Sequence, residues 1–143
     1  MIMHPDPNRP AILIVESEAL IRIELKAQLA DIGLTTLTAS TAAEAIKCMN
    51  DHPGIAILLT DITMDGSQDG LRLAHFVRER WPPVKIIVTS GMGGIQPCDL
   101  PFGSTFLPKP YGPEHLLQAI APFLPNSQST GTAGLTARGS DGA

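Results

Sequence analysis

The sequence predicts an α/β protein built on one doubly wound parallel sheet, and three observations carry that reading. Runs of strand length recur five times, those at 11–15 and 55–59 wholly apolar and rich in Ile, Leu and Val. They alternate with segments whose apolar residues repeat at helical spacing, as strand–helix–strand crossovers do. The run at 55–59, Ile-Ala-Ile-Leu-Leu, is unbroken and follows Pro53-Gly54. It is too short for a typical helix and suits a strand buried on both faces. A chain of 143 residues is about the size of one domain.

Residues 1–10 carry Pro5, Pro7 and Pro10 and read as an irregular leader. Residues 11–15 form the first strand, cut off by Glu16-Ser17-Glu18. Leu20, Ile21, Leu25, Leu29 and Ile32 then recur on one helical face, with Gly33 where a C-terminal cap is expected. The Thr-rich stretch 34–39 is the second strand. Thr41-Ala-Ala-Glu44 is a capping-box pattern that opens a helix to about residue 50, with Ala42, Ala45, Ile46 and Met49 on one face. The central strand delivers Thr60 and Asp61 into a polar loop at 65–69. A third helix over about 70–81 buries Leu73, Phe76 and Val77, and Pro82-Pro83 stops it.

Residues 84–88 are the fourth strand, ending in Thr89-Ser90-Gly91. Gly93, Gly94, Pro97, Pro101 and Gly103 leave room for no more than a helical turn in a mobile loop over 92–103. The fifth strand, 104–107, runs into Pro108-Lys109-Pro110. Pro113 suits the first turn of a last helix, whose buried side carries Leu116, Leu117, Ile120 and Phe123. Residues 126–143 are Ser/Thr/Gly-rich without periodicity, and disorder is expected there. One domain over 11–125 is the expected organisation, with no internal repeat and no output domain after it.

Composition excludes several function classes. A net charge of −4 and a pI near 5.4 offer no basic face for nucleic acid or an acidic membrane. Cys48 and Cys98 have no CxxC spacing and read as free thiols of a reducing compartment. No segment resembles a signal peptide or is long enough to span a bilayer, so a cytoplasmic location is expected. His4, His52, His75 and His115 share no metal-ligand spacing.

Right-handed crossovers bring the C-terminal ends of all the strands to one rim, where ligands collect in open α/β sheets. The first strand brings Glu16, Ser17 and Glu18 there, the third Asp61, the fourth Thr89 and Ser90, and the fifth Lys109. Singly, each has a plain structural role: a solvated strand end, a helix cap, a turn residue, a surface lysine. Jointly they point to phosphoryl chemistry. Converging carboxylates favour a hard divalent cation, and Mg²⁺ takes one or two of them together with waters and phosphate oxygens. An Asp61 oxygen is then placed to attack a phosphoryl group and form an acyl phosphate. Lys109 and the metal neutralise its charge while the Thr89 hydroxyl bonds a phosphoryl oxygen.

The motifs Ile-Leu-Ile-Val-Glu-Ser-Glu at 12–18, Leu-Leu-Thr-Asp at 58–61 with Met64, Asp69-Gly70-Leu71, Val-Thr-Ser-Gly at 88–91 and Phe-Leu-Pro-Lys-Pro at 106–110 resemble the receiver domain of two-component response regulators. The resemblance covers about residues 11–125. It implies a flavodoxin-like five-stranded sheet in the order 2-1-3-4-5, with the fourth helix short or missing. It also implies that Asp61 accepts phosphate from a histidine kinase or histidine phosphotransfer protein, that Thr89 and Lys109 sense the phosphoryl group, and that Phe106 reports the state. The implied Mg²⁺ ligands are Glu16, Asp61 and the Thr63 backbone carbonyl, with Ser17 or Glu18 as a further candidate. A cis Lys109–Pro110 bond is implied as well. The Thr-Ser-Gly to Lys-Pro-Tyr stretch is similar to stand-alone receivers of alphaproteobacterial type, which act through a downstream protein partner as monomers or weak dimers.

Ser17 departs from the family, which has an Asp there that binds the metal. A hydroxyl is a poorer Mg²⁺ ligand, so affinity is expected to fall unless Glu18 swings in or water fills the gap. A degenerate receiver that binds partners without phosphorylation is the main alternative. Two enzyme or carrier classes fare worse. A haloacid-dehalogenase-type phosphatase needs a second Asp where Thr63 stands, and Glu16 and Glu18 would repel a flavin phosphate after the first strand. Self-catalysed phosphoryl acceptance is the only catalysis expected.

Overall fold

The computed structural model describes residues 10–30, 32–64, 67–91 and 96–124. The tail, nearly all of the leader and residues 92–95 of the loop expected to be mobile lie outside the described residues. Five strands, β1 (Ala11–Val15), β2 (Thr35–Ala39), β3 (Ile55–Asp61), β4 (Lys85–Ser90) and β5 (Thr105–Pro108), pair in parallel in the order β2-β1-β3-β4-β5. Helices α1 (Ala19–Leu29), α2 (Ala42–Asp51), α3 (Asp69–Arg80) and α4 (Pro113–Ile120) follow β1, β2, β3 and β5. Between β4 and β5 the described residues hold only a 3-10 turn, Pro97–Asp99, as the Gly/Pro content predicts. Packing divides the chain into two compact units after Pro110.

In the first unit β1 is buried along its whole length, and its alternation serves two faces. Leu13 and Val15 join Leu58, Ile86 and Val88 in a core closed by Ala45 and Met49 of α2 and Leu73, Ala74 and Val77 of α3. Ile12, Ile14, Ile57 and Ile87, also fully buried, face the other way. Burying a side chain of this size stabilises by about 1.5–3 kcal/mol, so the central strands are the most firmly held part of the molecule.

β3 runs two residues past the apolar stretch that predicts it. Thr60 and Asp61 remain in the ladder opposite Val15 and Thr89, so the acid is carried to the rim on a paired strand rather than in a turn. Helix faces need three corrections. Leu20 is 82% exposed and Phe76 43% exposed, and Leu117 is more exposed than expected. In α1 the buried pair Leu25 and Leu29 sets the inner face, and about 3.6 residues per turn place Leu20 opposite it. Phe76 lies on the flank of α3 and meets Trp81 edge-on at 6.0 Å instead of entering the core. Leu117 sits on the flank of the face that Leu116 and Ile120 define, and Phe123 is only half-buried. Gly33 has φ +87° and turns the chain into β2, while α1 itself ends at Leu29.

The capping box at Thr41 forms with a slip of one residue. Thr41 Oγ1 accepts from Glu44 N–H at 3.1 Å, but Glu44 Oε1 accepts from the N–H and hydroxyl of Ser40, each at 2.9 Å. Those bonds, the backbone one first, hold the Glu44 carboxyl below its usual range.

Candidate functional site

The strand ends bring Glu16, Asp61, Thr89 and Lys109 to one rim. Lys109 Nζ donates to Asp61 Oδ2 at 2.7 Å and lies 3.5 Å from Glu16 Oε1, so one ammonium bridges acids from β1 and β3. All three side chains are largely buried, Glu16 the most and Lys109 the least. Pairing in such a place stabilises only because each charge has a partner; removing one partner leaves a costly unpaired charge. Lys109 is positioned by its own backbone, whose N–H donates to Ser90 O at 3.0 Å, and its peptide bond to Pro110 is cis.

Asp61 is fixed from several sides. Its Oδ1 accepts the Thr63 N–H at 3.4 Å, and Thr60 Oγ1 donates to its carbonyl oxygen at 3.1 Å. Ile62 N–H donates to Thr89 O at 2.8 Å, which continues the β3–β4 ladder beyond the acid. Thr89 is buried directly opposite Asp61. On the other side Glu16 Oε2 accepts the Glu18 N–H at 3.1 Å. Ser17 is half-exposed beside Glu16, and Glu18 is exposed as it starts α1. Phe106 on β5 is 40% exposed, the one member of the expected switch that reaches the surface.

Two residues of the rim carry weight that sequence reasoning assigns to neither. Arg22 Nη1 donates to the carbonyls of Glu16 at 2.8 Å and Ser17 at 3.3 Å, tying the acidic loop to the second turn of α1. An isolated cation on an otherwise apolar helix start was the available signal. Gly70 packs against the end of β3: its N–H donates to Ile62 O at 3.0 Å, and a Cβ there would overlap the Asp61 carbonyl oxygen. A glycine following the acid by a fixed loop hints at close backbone approach, but only the fold identifies what it approaches.

β5 and the segment before it frame a groove of about 540 Å³ lined by Pro97, Cys98, Leu100, Pro101, Phe102 and Phe106 among others. Helix α3 straps this segment down. His75 Nε2 bonds Asp99 O at 2.8 Å, and Arg78 Nε donates to Phe102 O at 2.8 Å.

Chemically the rim holds two carboxylates, one ammonium and hydroxyls, a set that suits a phosphoryl group and a hard cation. Among the described residues no cluster of three or more acid, His or Cys side chains converges. A divalent cation is therefore offered Glu16, Asp61 and backbone or hydroxyl oxygens. Mg²⁺ accepts such a two-carboxylate set when water and phosphate oxygens fill the remaining positions.

Comparison with known proteins identifies the family. A protein of Rickettsia felis described as an NtrX-like response regulator is 35% identical over 86 residues, which is 59% of this chain and 18% of that relative. The chain thus spans under a fifth of the curated relatives it first matches. A response regulator receiver protein from Sinorhizobium medicae superposes with a TM-score of 0.74 at 25% identity, covering 82% of this chain and 95% of that one. Another from Pseudomonas putida gives 0.68 at 27% identity, covering 78% and 95%. The response regulator receiver domain model matches residues 12–121, and the chain belongs to that family.

Proposed function

We propose that this receiver domain accepts a phosphoryl group on Asp61 from a histidine kinase or histidine phosphotransfer protein and signals through protein contacts. The observation that carries the reading is the bridge of Lys109 between Asp61 and Glu16 at a rim also lined by Thr89. It holds the acid in line with a cation that can stay on the phosphoryl oxygens after transfer.

In the step itself an Asp61 oxygen attacks phosphorus, and the P–N bond of the phosphohistidine breaks. Its electron pair remains on the imidazole, whose other nitrogen carries the proton. Asp61 is left as an acyl phosphate. Lys109 neutralises the added charge, and the Thr89 hydroxyl turns to a phosphoryl oxygen. Glu16, Asp61 and the Thr63 carbonyl would hold Mg²⁺, which when bound supplies charge neutralisation at the phosphoryl oxygens. The chain carries out no other catalysis in this reading, and its place is the cytoplasm. No helix among the described residues is long and apolar enough to cross a membrane.

The signal leaves through Phe106. Moving Thr89 inward frees space on the β4–β5 side, and the ring follows as a population shift. A downstream protein that contacts the ring reads the change.

The test is labelling by acetyl phosphate or a phosphorylated kinase fragment, with Asp61→Asn beside the wild type. Acid-labile, base-labile label on the wild type alone is expected, together with a shift of the Phe106 ring signals. Label retained on Asp61→Asn sinks the assignment. No label on either protein leaves a receiver that works without phosphorylation.

A further inference from the structure

Part of the negative charge at the rim is balanced before any metal arrives. Glu16 and Asp61 contribute two negative charges, and Lys109 touches both. Arg22 adds a second positive charge on the carbonyls of Glu16 and Ser17, on the loop that would face a cation. Of the Glu16 oxygens, one faces Lys109 and the other takes the Glu18 N–H. Ser17 brings no charge, and Glu18 is exposed with its backbone committed to the start of α1. A divalent cation approaching this rim must compete with an ammonium already in place, which weakens its attraction to Glu16 and Asp61.

Adding a phosphoryl group changes that balance. An acyl phosphate on Asp61 carries more negative charge than the free carboxylate and brings hard oxygens, the ligands Mg²⁺ most readily accepts beside one or two carboxylates. The negative charge that Lys109 leaves unbalanced grows.

We infer that Ser17 makes this a conditional metal site, weak in the free chain and completed by the phosphoryl group. This rests on the assignment of Asp61 as acceptor. Linkage makes the coupling reciprocal: whatever factor the phosphoryl group adds to metal affinity, the metal adds to phosphoryl retention. Coupling between sites is typically about 5–150-fold. An Asp at position 17 would lend the free chain a charge of its own. It would raise metal affinity before phosphorylation and shrink the factor between the two states.

The experiment titrates MgCl₂ into the wild type, Ser17→Asp and Ser17→Asn, each with and without beryllofluoride, following amide shifts of Asp61, Ile62, Thr63 and Thr89. Beryllofluoride stands in for the phosphoryl group. Expected for the wild type is an affinity at least about tenfold tighter with beryllofluoride than without. Ser17→Asp should bind Mg²⁺ alone at least about tenfold tighter than the wild type and show a smaller factor. Ser17→Asn, neutral and of similar reach to Asp, should follow the wild type.

Equal Mg²⁺ affinities of the free wild type and Ser17→Asp overturn the inference, as does a wild-type affinity that beryllofluoride leaves unchanged. Failure of the underlying assignment looks different: beryllofluoride then perturbs neither Asp61 nor Thr89 in any variant at any Mg²⁺ concentration. Thermal melts of the three proteins without metal check that each is folded.

Discussion

The rim around Asp61 and the segment leading into β5 are built by opposite means. At the rim Asp61 and Thr89 pair at the ends of their strands, Glu16 and Lys109 follow β1 and β5 by one residue, and the backbone bonds that aim them continue the ladder. The segment from Gln96 to Ser104 has no ladder. A single 3-10 turn, and side chains reaching over from α3, fix its course. Arg78 is the main strap, since its guanidinium also takes Pro82 O and Val84 O at 3.0 Å each. Phe102 at its tip is 92% exposed. The rim's side chains are thus anchored to the buried sheet. The connection is instead hung on a few bonds worth about 1 kcal/mol each.

The largest effect should come from Gly70. A methyl group there overlaps the Asp61 carbonyl and comes within 2.9 Å of Ile62 O, both of them backbone and unable to rotate away. Gly70→Ala is expected to cost about 4 kcal/mol or more, the range reserved for severe clashes, and to displace Asp61 in whatever folded fraction remains. Denaturant titration gives the cost, and beryllofluoride uptake reads the acid's placement. A loss under about 1 kcal/mol with normal uptake would mean the end of β3 is as pliable as the connection, and the contrast fails.

Much of this contrast is legible in the sequence, though unevenly. The doubly wound sheet and the meeting of Glu16, Asp61, Thr89 and Lys109 at one rim follow from period and crossover hand, because a buried strand can deliver its last residue to only one edge; the strand order is implied by the receiver-like motifs instead. Helix faces are less legible. Leu20, Phe76 and Leu117 satisfy the spacing of a buried stripe, but which side of the stripe is inward depends on the partner it meets, here decided by Leu25, Leu73 and Leu116. The straps are not legible at all: His75 and Arg78 lie 24 residues from the carbonyls they bond, and a backbone acceptor leaves no mark on sequence. The slip of the capping box from Thr41 to Ser40 belongs to the same class. Two adjacent hydroxyl residues offer the same glutamate equivalent partners, and local geometry chooses.

Removing the main strap gives a smaller, more local effect. Arg78→Ala loses three bonds to carbonyls, of which two are exposed, and is expected to cost about 1–2 kcal/mol. The loss should appear as faster hydrogen exchange at Asp99, Leu100 and Ser104 while Asp61, Ile62 and Thr89 keep their protection. Phosphoryl-analogue uptake at Asp61 should be unchanged. Exchange that accelerates equally at both places would show that the two regions open as one unit, and the division drawn here would have to go.

The thiols sharpen the same division at the smallest scale. Cys98 lines the groove and is exposed, whereas Cys48 lies half-buried on α2 against the core. Burial raises the Cys48 thiol above its ordinary range, with the Asp51 charge adding to it. The folded chain therefore keeps that proton longer than the unfolded chain. Its contribution to stability is complete below the ordinary thiol range and declines as pH rises through it. Since the thiolate is the reacting form, Cys48 is slowed twice, by access and by protonation. Iodoacetamide at pH 8 should modify Cys98 at least about tenfold faster, a ratio worth about 1.4 kcal/mol, as followed by mass spectrometry of the peptides. In Arg78→Ala the Cys98 rate should change while that of Cys48 does not. Comparable rates for the two thiols in the wild type would mean that α2 opens as readily as the connection, and that the core holds its periphery less firmly than its packing implies.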